Sequence, residues 1–65
     1  MIELSPREKD VVRLLCASGD NTAIGVALGI AMPTVKRHML SIMKKTGLPN
    51  RTMVALWAQK TGYNE

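Results

Sequence analysis

The sequence predicts an all-α fold, because apolar residues recur at intervals of three and four along most of its 65 residues. Glycine and proline stand between these periodic stretches, where helices end and begin. No stretch alternates polar and apolar residues as a half-buried strand does. A chain of this length makes one domain, which we expect to occupy residues 1–65.

The first helix is predicted over residues 6–17. The segment 5–8, SPRE, has the pattern of a capping box, with Ser5 as N-cap and Glu8 reaching back to the cap. The proline within it suits the first helical position. Apolar residues at helical spacing then continue to the break at residues 18–20.

Two helices follow in close succession. The second is predicted over residues 22–28, and we expect Asn21 to cap it. The third is predicted over residues 33–46, after a turn that consists only of residues 29–31 and contains a glycine. Two helices joined by so tight a turn form a helix-turn-helix arrangement.

A fourth helix is predicted over residues 51–61, with Asn50 as its cap and Gly62 as its end. It is apolar around more than half of its circumference, which is wider than packing on one core requires. Val54, Ala58 and Thr61 are expected to face inward. Met53, Leu56 and Trp57 would then form an outward apolar surface, unless Trp57 instead anchors a buried terminal helix.

The net charge of +4 is distributed unevenly along the chain. Residues 1–35 contain more acids than bases, whereas residues 36–60 contain six bases and no acid. Such a run is often only a solvated helix face. A positive field concentrated at one surface of a small fold nevertheless suits a polyanion.

Other classes of function have little support in the sequence. With one cysteine and one histidine, the chain has no metal-ligand spacing and no nucleophile beside a base, so we expect no enzyme, no metal and no cofactor. No apolar run is long enough to cross a membrane. We therefore expect a cytoplasmic protein.

The third helix has a polar side opposite its apolar stripe. An α-helix with such a side fits the major groove of DNA, where Lys and Arg donate to guanine. The alternative is an ordinary exposed amphipathic helix. An apolar residue on this side, Leu40, could meet a thymine methyl group or be a tolerated surface residue. The outward side chains are Thr34, Lys36, Arg37, Leu40, Ser41 and Lys44.

Five short motifs in order resemble the LuxR/GerE-type DNA-binding domain: LSPRE, LGI, TVKRH, IMKKTG and NRT. The resemblance covers nearly the whole chain and implies a four-helix helix-turn-helix domain. It implies that Lys36, Arg37 and Leu40 contact bases. The resemblance and the polar side of the third helix together give the candidates for contacts to phosphates, or to either phosphates or bases. These candidates are Asn21, Thr22, Thr34, His38, Ser41, Lys44 and Lys45.

The sequence departs from the family pattern in ways that would hold the third helix less firmly. In the second helix, Ala23 and Gly25 replace a usual glutamate and alanine, and the glycine should cost up to about 1 kcal/mol of the stability of that helix. Ala31 replaces a serine N-cap, typically worth about 1 kcal/mol. Thr46 replaces an apolar residue near the end of the third helix.

The function implied is that of a small stand-alone transcriptional regulator, bacterial or phage-encoded, that binds double-stranded DNA without a small-molecule ligand. In the family the fourth helix is the dimer contact, which implies a weak homodimer through Met53, Leu56 and Trp57. RNA polymerase is a further candidate partner. The alternative is an interaction protein that pairs through its fourth helix with a larger LuxR-type regulator and modulates or inhibits it.

Overall fold

The computed structural model describes residues 3–17 and 20–62, which form four α-helices and no strand. The all-α class is confirmed, and every predicted boundary lies within one residue of the observed one. Residues 18 and 19 of the predicted break lie outside the described residues. None of the described helices is both long and apolar enough to cross a membrane. In chain order the helices are α1 Pro6–Ala17, α2 Asn21–Leu28, α3 Met32–Thr46 and α4 Arg51–Thr61.

The predicted caps of α1 and α4 are confirmed. The backbone N–H of Ser5 donates to Glu8 Oε1 at 2.8 Å, and the backbone N–H of Glu8 donates to Ser5 Oγ at 3.2 Å. This reciprocal pair is a capping box. At α4, the backbone N–H of Met53 donates to Asn50 Oδ1 at 2.9 Å. Both helices therefore begin where a local side chain satisfies a backbone donor.

The predicted cap of α2 is wrong by one residue. Asp20, with an extended backbone, is the N-cap, and its Oδ1 accepts a hydrogen bond from the backbone N–H of Thr22 at 3.0 Å. Asn21 is the first helical residue. Aspartate and asparagine cap equally well, but the negative charge of Asp20 also interacts favourably with the positive end of the helix dipole. At α3, Ala31 makes no side-chain cap, as the sequence indicates.

The core lies where α1 contacts the other three helices. The inward positions expected of α4 are right for Val54 and Ala58 and wrong for Thr61, which is exposed. Thr61 lies in the last turn, where its Oγ1 donates to the carbonyl of Trp57 at 2.9 Å. The buried apolar residues of the described chain are Leu4, Val11, Val12, Leu15, Ile24, Val35, Met39, Ile42, Val54 and Ala58.

Gly25 is needed for the tight turn between α2 and α3. The backbone N–H of Ile30 donates to the Gly25 carbonyl at 2.9 Å, which brings the turn against the helix. A Cβ on Gly25 would lie 2.9 Å from the carbonyl oxygen of Ile30 and 3.5 Å from Val35 Cγ2. The expectation that this glycine merely weakens α2 is therefore corrected, because alanine does not fit here.

Gly25→Ala should destabilise the domain by about 1–3 kcal/mol, because the methyl group meets a backbone carbonyl that cannot move alone. Helix propensity acts in the opposite direction, by up to about 1 kcal/mol. Urea unfolding followed by circular dichroism measures the net sign. Ala27→Gly, at an exposed position of the same helix, reports the propensity contribution alone. An increase in stability for Gly25→Ala would contradict the steric argument.

Candidate nucleic-acid interface

α3 has a buried side and an exposed side. Val35, Met39 and Ile42 are buried against the core. Lys36, Arg37, Leu40 and Lys44 are all exposed, as the sequence predicts. Leu40 is 64% exposed and lies among these cations. The exposed side is therefore a cationic surface with one apolar residue within it.

A shallow cavity lies beside this surface, between α3 and the N-terminus of α2. Its volume is about 210 Å³. Three of its lining side chains are apolar, and the other two are a lysine and an asparagine. The exposed side of α3 therefore offers both cationic donors and a small apolar depression. The lining residues are Asn21, Lys36, Met39, Leu40 and Met43.

Two of the candidate contacts on α3 bond to α1: Ser41 is half-buried, whereas the side chain of Lys45 remains 43% exposed. Ser41 Oγ donates to Glu8 Oε2 at 2.7 Å, and Lys45 Nζ lies 2.7 Å from Glu8 Oε1. Glu8 itself is only 4% exposed. Ser41 lies half-buried at the edge of the polar side that faces α1, where this buried carboxylate accepts a hydrogen bond from its hydroxyl group. Lys45 supplies the counter-charge that a buried carboxylate requires.

The pKa of Glu8 follows from this environment. Burial raises the pKa of a carboxyl group, but hydrogen bonds from Lys45, Ser41 and the backbone of Ser5, with the charge of Lys45, lower it more. The net result is a pKa of about 2 instead of 4.5. Glu8 is therefore ionised at neutral pH. Sequence reasoning found Glu8 only as a helix cap, because nothing in the sequence indicates its second pair of partners on α3.

The remaining candidates lie around the edge of the cationic surface. Thr34 and His38 are half-buried, and Thr22 is exposed at the start of α2. Asn21 Oδ1 is buried and finds no hydrogen-bond donor among the described residues. The carboxamide of Asn21 could therefore rotate and present its N–H to a ligand, and its oxygen would lose no hydrogen bond within the described residues.

The apolar surface predicted on α4 is present in part. Met53 and Leu56 are 41% and 46% exposed. Trp57 is half-buried and packs against the core, so it lies at the edge of this surface. A second exposed apolar surface, on α2, was missed: Val26 is 79% exposed, and Ala23 and Ala27 are exposed with it. The sequence shows that α2 contains no charged residue, but this alone does not indicate which of its apolar residues are exposed.

Two tightly joined helices, with the second one cationic and exposed, define a helix-turn-helix DNA-binding domain. Residues 3–58 match the family described as bacterial regulatory proteins of the luxR family, and the chain belongs to that family. The resemblance found in its sequence motifs is thereby confirmed. The family consists of transcriptional regulators. Within the described residues, no group of three or more histidine, cysteine or carboxylate side chains could hold a metal ion.

Several regulators are similar to this chain. The nitrate/nitrite response regulator protein NarL of Escherichia coli K12 is 34% identical over 58 residues, or 89% of this chain and 27% of NarL. The regulatory protein SdiA of the same strain is 34% identical over 61 residues, or 94% and 25%. The transcriptional activator protein PhzR of Pseudomonas fluorescens is 36% identical over 62 residues, or 95% and 25%. The chain thus spans about a quarter of the length of these relatives.

Glu8→Gln should destabilise the domain by about 3 kcal/mol at neutral pH, the free energy that corresponds to its lowered pKa. Because the pKa of Glu8 is lower in the folded state than in the unfolded state, its ionised form stabilises the fold at pH values above the unfolded pKa. That contribution is lost as the pH falls from about 4.5 toward 2. The variant should therefore lose less stability than the wild type over this range. Urea unfolding at several pH values measures both effects.

Glu3→Gln is the control for this experiment, because it removes the same charge at an exposed position of the same chain segment. It should leave stability at neutral pH and its acid dependence nearly unchanged. Equal acid dependence in the wild type and Glu8→Gln would show that Glu8 does not interact with α3 as described.

Proposed function

We propose that this chain binds double-stranded DNA sequence-specifically, with α3 in the major groove, and acts as a small stand-alone transcriptional regulator. The observation that carries this proposal is the exposed row of Lys36, Arg37, Leu40 and Lys44 on a helix whose other side is buried in the core. A helix so held presents a rigid cationic edge to the groove. One core joins all four helices, which supports independent folding.

The proposed DNA contacts divide into those with bases and those with phosphates. Lys36 and Arg37 can reach guanine edges, for which their donors are suited. Lys44, and Asn21 and Thr22 at the N-terminus of α2, are the candidates for phosphate contacts. Thr34 and His38 remain candidates for either kind of contact.

Lys45 remains a predicted phosphate contact, but we assign it first to Glu8, since the 2.7 Å ion pair already engages its ammonium group. Ser41 has the same primary role, because its hydroxyl group donates to the same carboxylate. Both side chains thus support the DNA-binding proposal by fixing the orientation of α3.

DNA binding should weaken steeply with salt, and Lys44→Ala should lower the slope of log K against log salt by about one unit. Arg37→Ala should cost about 1–3 kcal/mol on the preferred sequence and less on random duplex. Fluorescence anisotropy on a duplex selected from a random pool measures both. Lys9→Ala, an exposed lysine on α1, is the matched control. If Lys44→Ala and Arg37→Ala both bound DNA as the wild type does, as the control Lys9→Ala should, the proposed surface would be refuted.

We further propose a weak homodimer through the apolar surface of α4, formed by Met53 and Leu56 with the edge of Trp57. The cavity beside these residues has a volume of about 310 Å³, which gives a partner side chain a place to insert. A two-fold dimer would set two α3 helices about one DNA turn apart, to match an inverted repeat. The proposed location is the bacterial cytoplasm, where RNA polymerase is a further partner.

Leu56→Lys should abolish binding of a second protomer to a palindromic duplex and leave half-site affinity nearly intact, because the exposed side chain contributes little to the core. Sedimentation velocity with and without duplex measures the stoichiometry. Val26→Lys adds the same charge at an exposed apolar position of α2 and should preserve the dimer. Two protomers of Leu56→Lys on the palindrome would contradict an α4 interface.

A second candidate function is favoured by the same exposed residues, Met53 and Leu56. In this alternative, α4 pairs with a larger LuxR-type regulator and modulates or inhibits it. Salt dependence separates the two functions: neutralising phosphates makes the affinity fall steeply with salt, whereas apolar helix pairing does not.

A further inference from the structure

We propose that the cavity beside α3 receives the 5-methyl group of a thymine, so that Leu40 is a specificity-determining residue. This inference rests on the proposed DNA binding and adds which base the surface selects. The thymine pocket, as we name it, is lined by Asn21, Lys36, Met39, Leu40 and Met43.

Leu40 lies exposed among the cations of α3. Its side chain is 64% exposed on the side of α3 where Lys36, Arg37 and Lys44 also lie. A leucine placed against a polar base edge would remove water from donors or acceptors without replacing their hydrogen bonds, which is unfavourable. A ligand that suits this position must therefore present an apolar group between polar ones.

One base presents such an apolar group in the major groove. Thymine carries a methyl group there, next to its O4 acceptor, whereas guanine, adenine and cytosine present nitrogen and oxygen atoms. Met39, Leu40 and Met43 give the pocket an apolar wall suited to the methyl group. Lys36, at the same pocket, can donate to O4 of that thymine or to a neighbouring guanine. The pocket thus matches both features of the thymine edge.

Deoxyuridine tests the pocket, because it differs from thymidine only by the missing methyl group. In a duplex selected from a random pool, each thymidine is replaced singly and the affinity is measured by fluorescence anisotropy. At one position of the recognised sequence we expect about fourfold weaker binding, as for one methyl group buried against apolar side chains. Leu40→Ala should clearly reduce this difference, because only Met39 and Met43 then remain of the apolar wall.

Two variants complete the test. Val26→Ala shortens an exposed apolar side chain on α2 and should keep the fourfold difference. Leu40→Gln introduces an amide that pairs with adenine, and selection with this variant should replace the preferred thymine by adenine.

The outcomes distinguish this inference from the proposed function. Tight, salt-dependent binding to a preferred sequence with no effect of deoxyuridine at any position would overturn the thymine pocket and leave sequence-specific binding intact. The same holds if the deoxyuridine effect persists unchanged in Leu40→Ala. Equal, weak affinity for every duplex would overturn the proposed function together with the pocket.

Discussion

A single buried carboxylate, that of Glu8, restrains how α1 and α3 pack against each other. Glu8 belongs to the first turn of α1, and its oxygen atoms accept hydrogen bonds both from the start of that helix, at the backbone of Ser5, and from Ser41 and Lys45 on α3. A buried charge is tolerated only when it is paired and hydrogen-bonded. α3 must therefore present these two side chains to α1, and this requirement restricts its rotation about its own axis.

That rotation divides the cations of α3 between two roles. Lys45, which is itself partly exposed, pairs with Glu8, and Lys36, Arg37 and Lys44 lie on the exposed surface. Since α3 buries Val35, Met39 and Ile42 on another side, little freedom remains for the exposed surface to move relative to the core. A surface held in this way suits base recognition, which needs donors in fixed positions. Leu40 becomes informative for the same reason, because it cannot turn inward.

The exposed apolar residues of α4 belong to a different surface from the cations of α3. Met53 and Leu56 contribute little to the core, so substitutions there can separate association from DNA recognition. This chain spans about a quarter of NarL, SdiA and PhzR. The similarity therefore covers the domain that carries the helix-turn-helix and not the greater part of those regulators.

Local sequence patterns are sufficient to predict the four helices, the caps at Ser5 and Asn50 and the cationic character of α3, because these depend on residues a few positions apart. The direction of Ser41 and Lys45 depends instead on packing, since their bonds to Glu8 join residues 33 and 37 positions apart. Packing also decided that Gly25 is required, through the approach of the Ile30 carbonyl. Such contacts arise only when separate helices pack, and no local pattern encodes them.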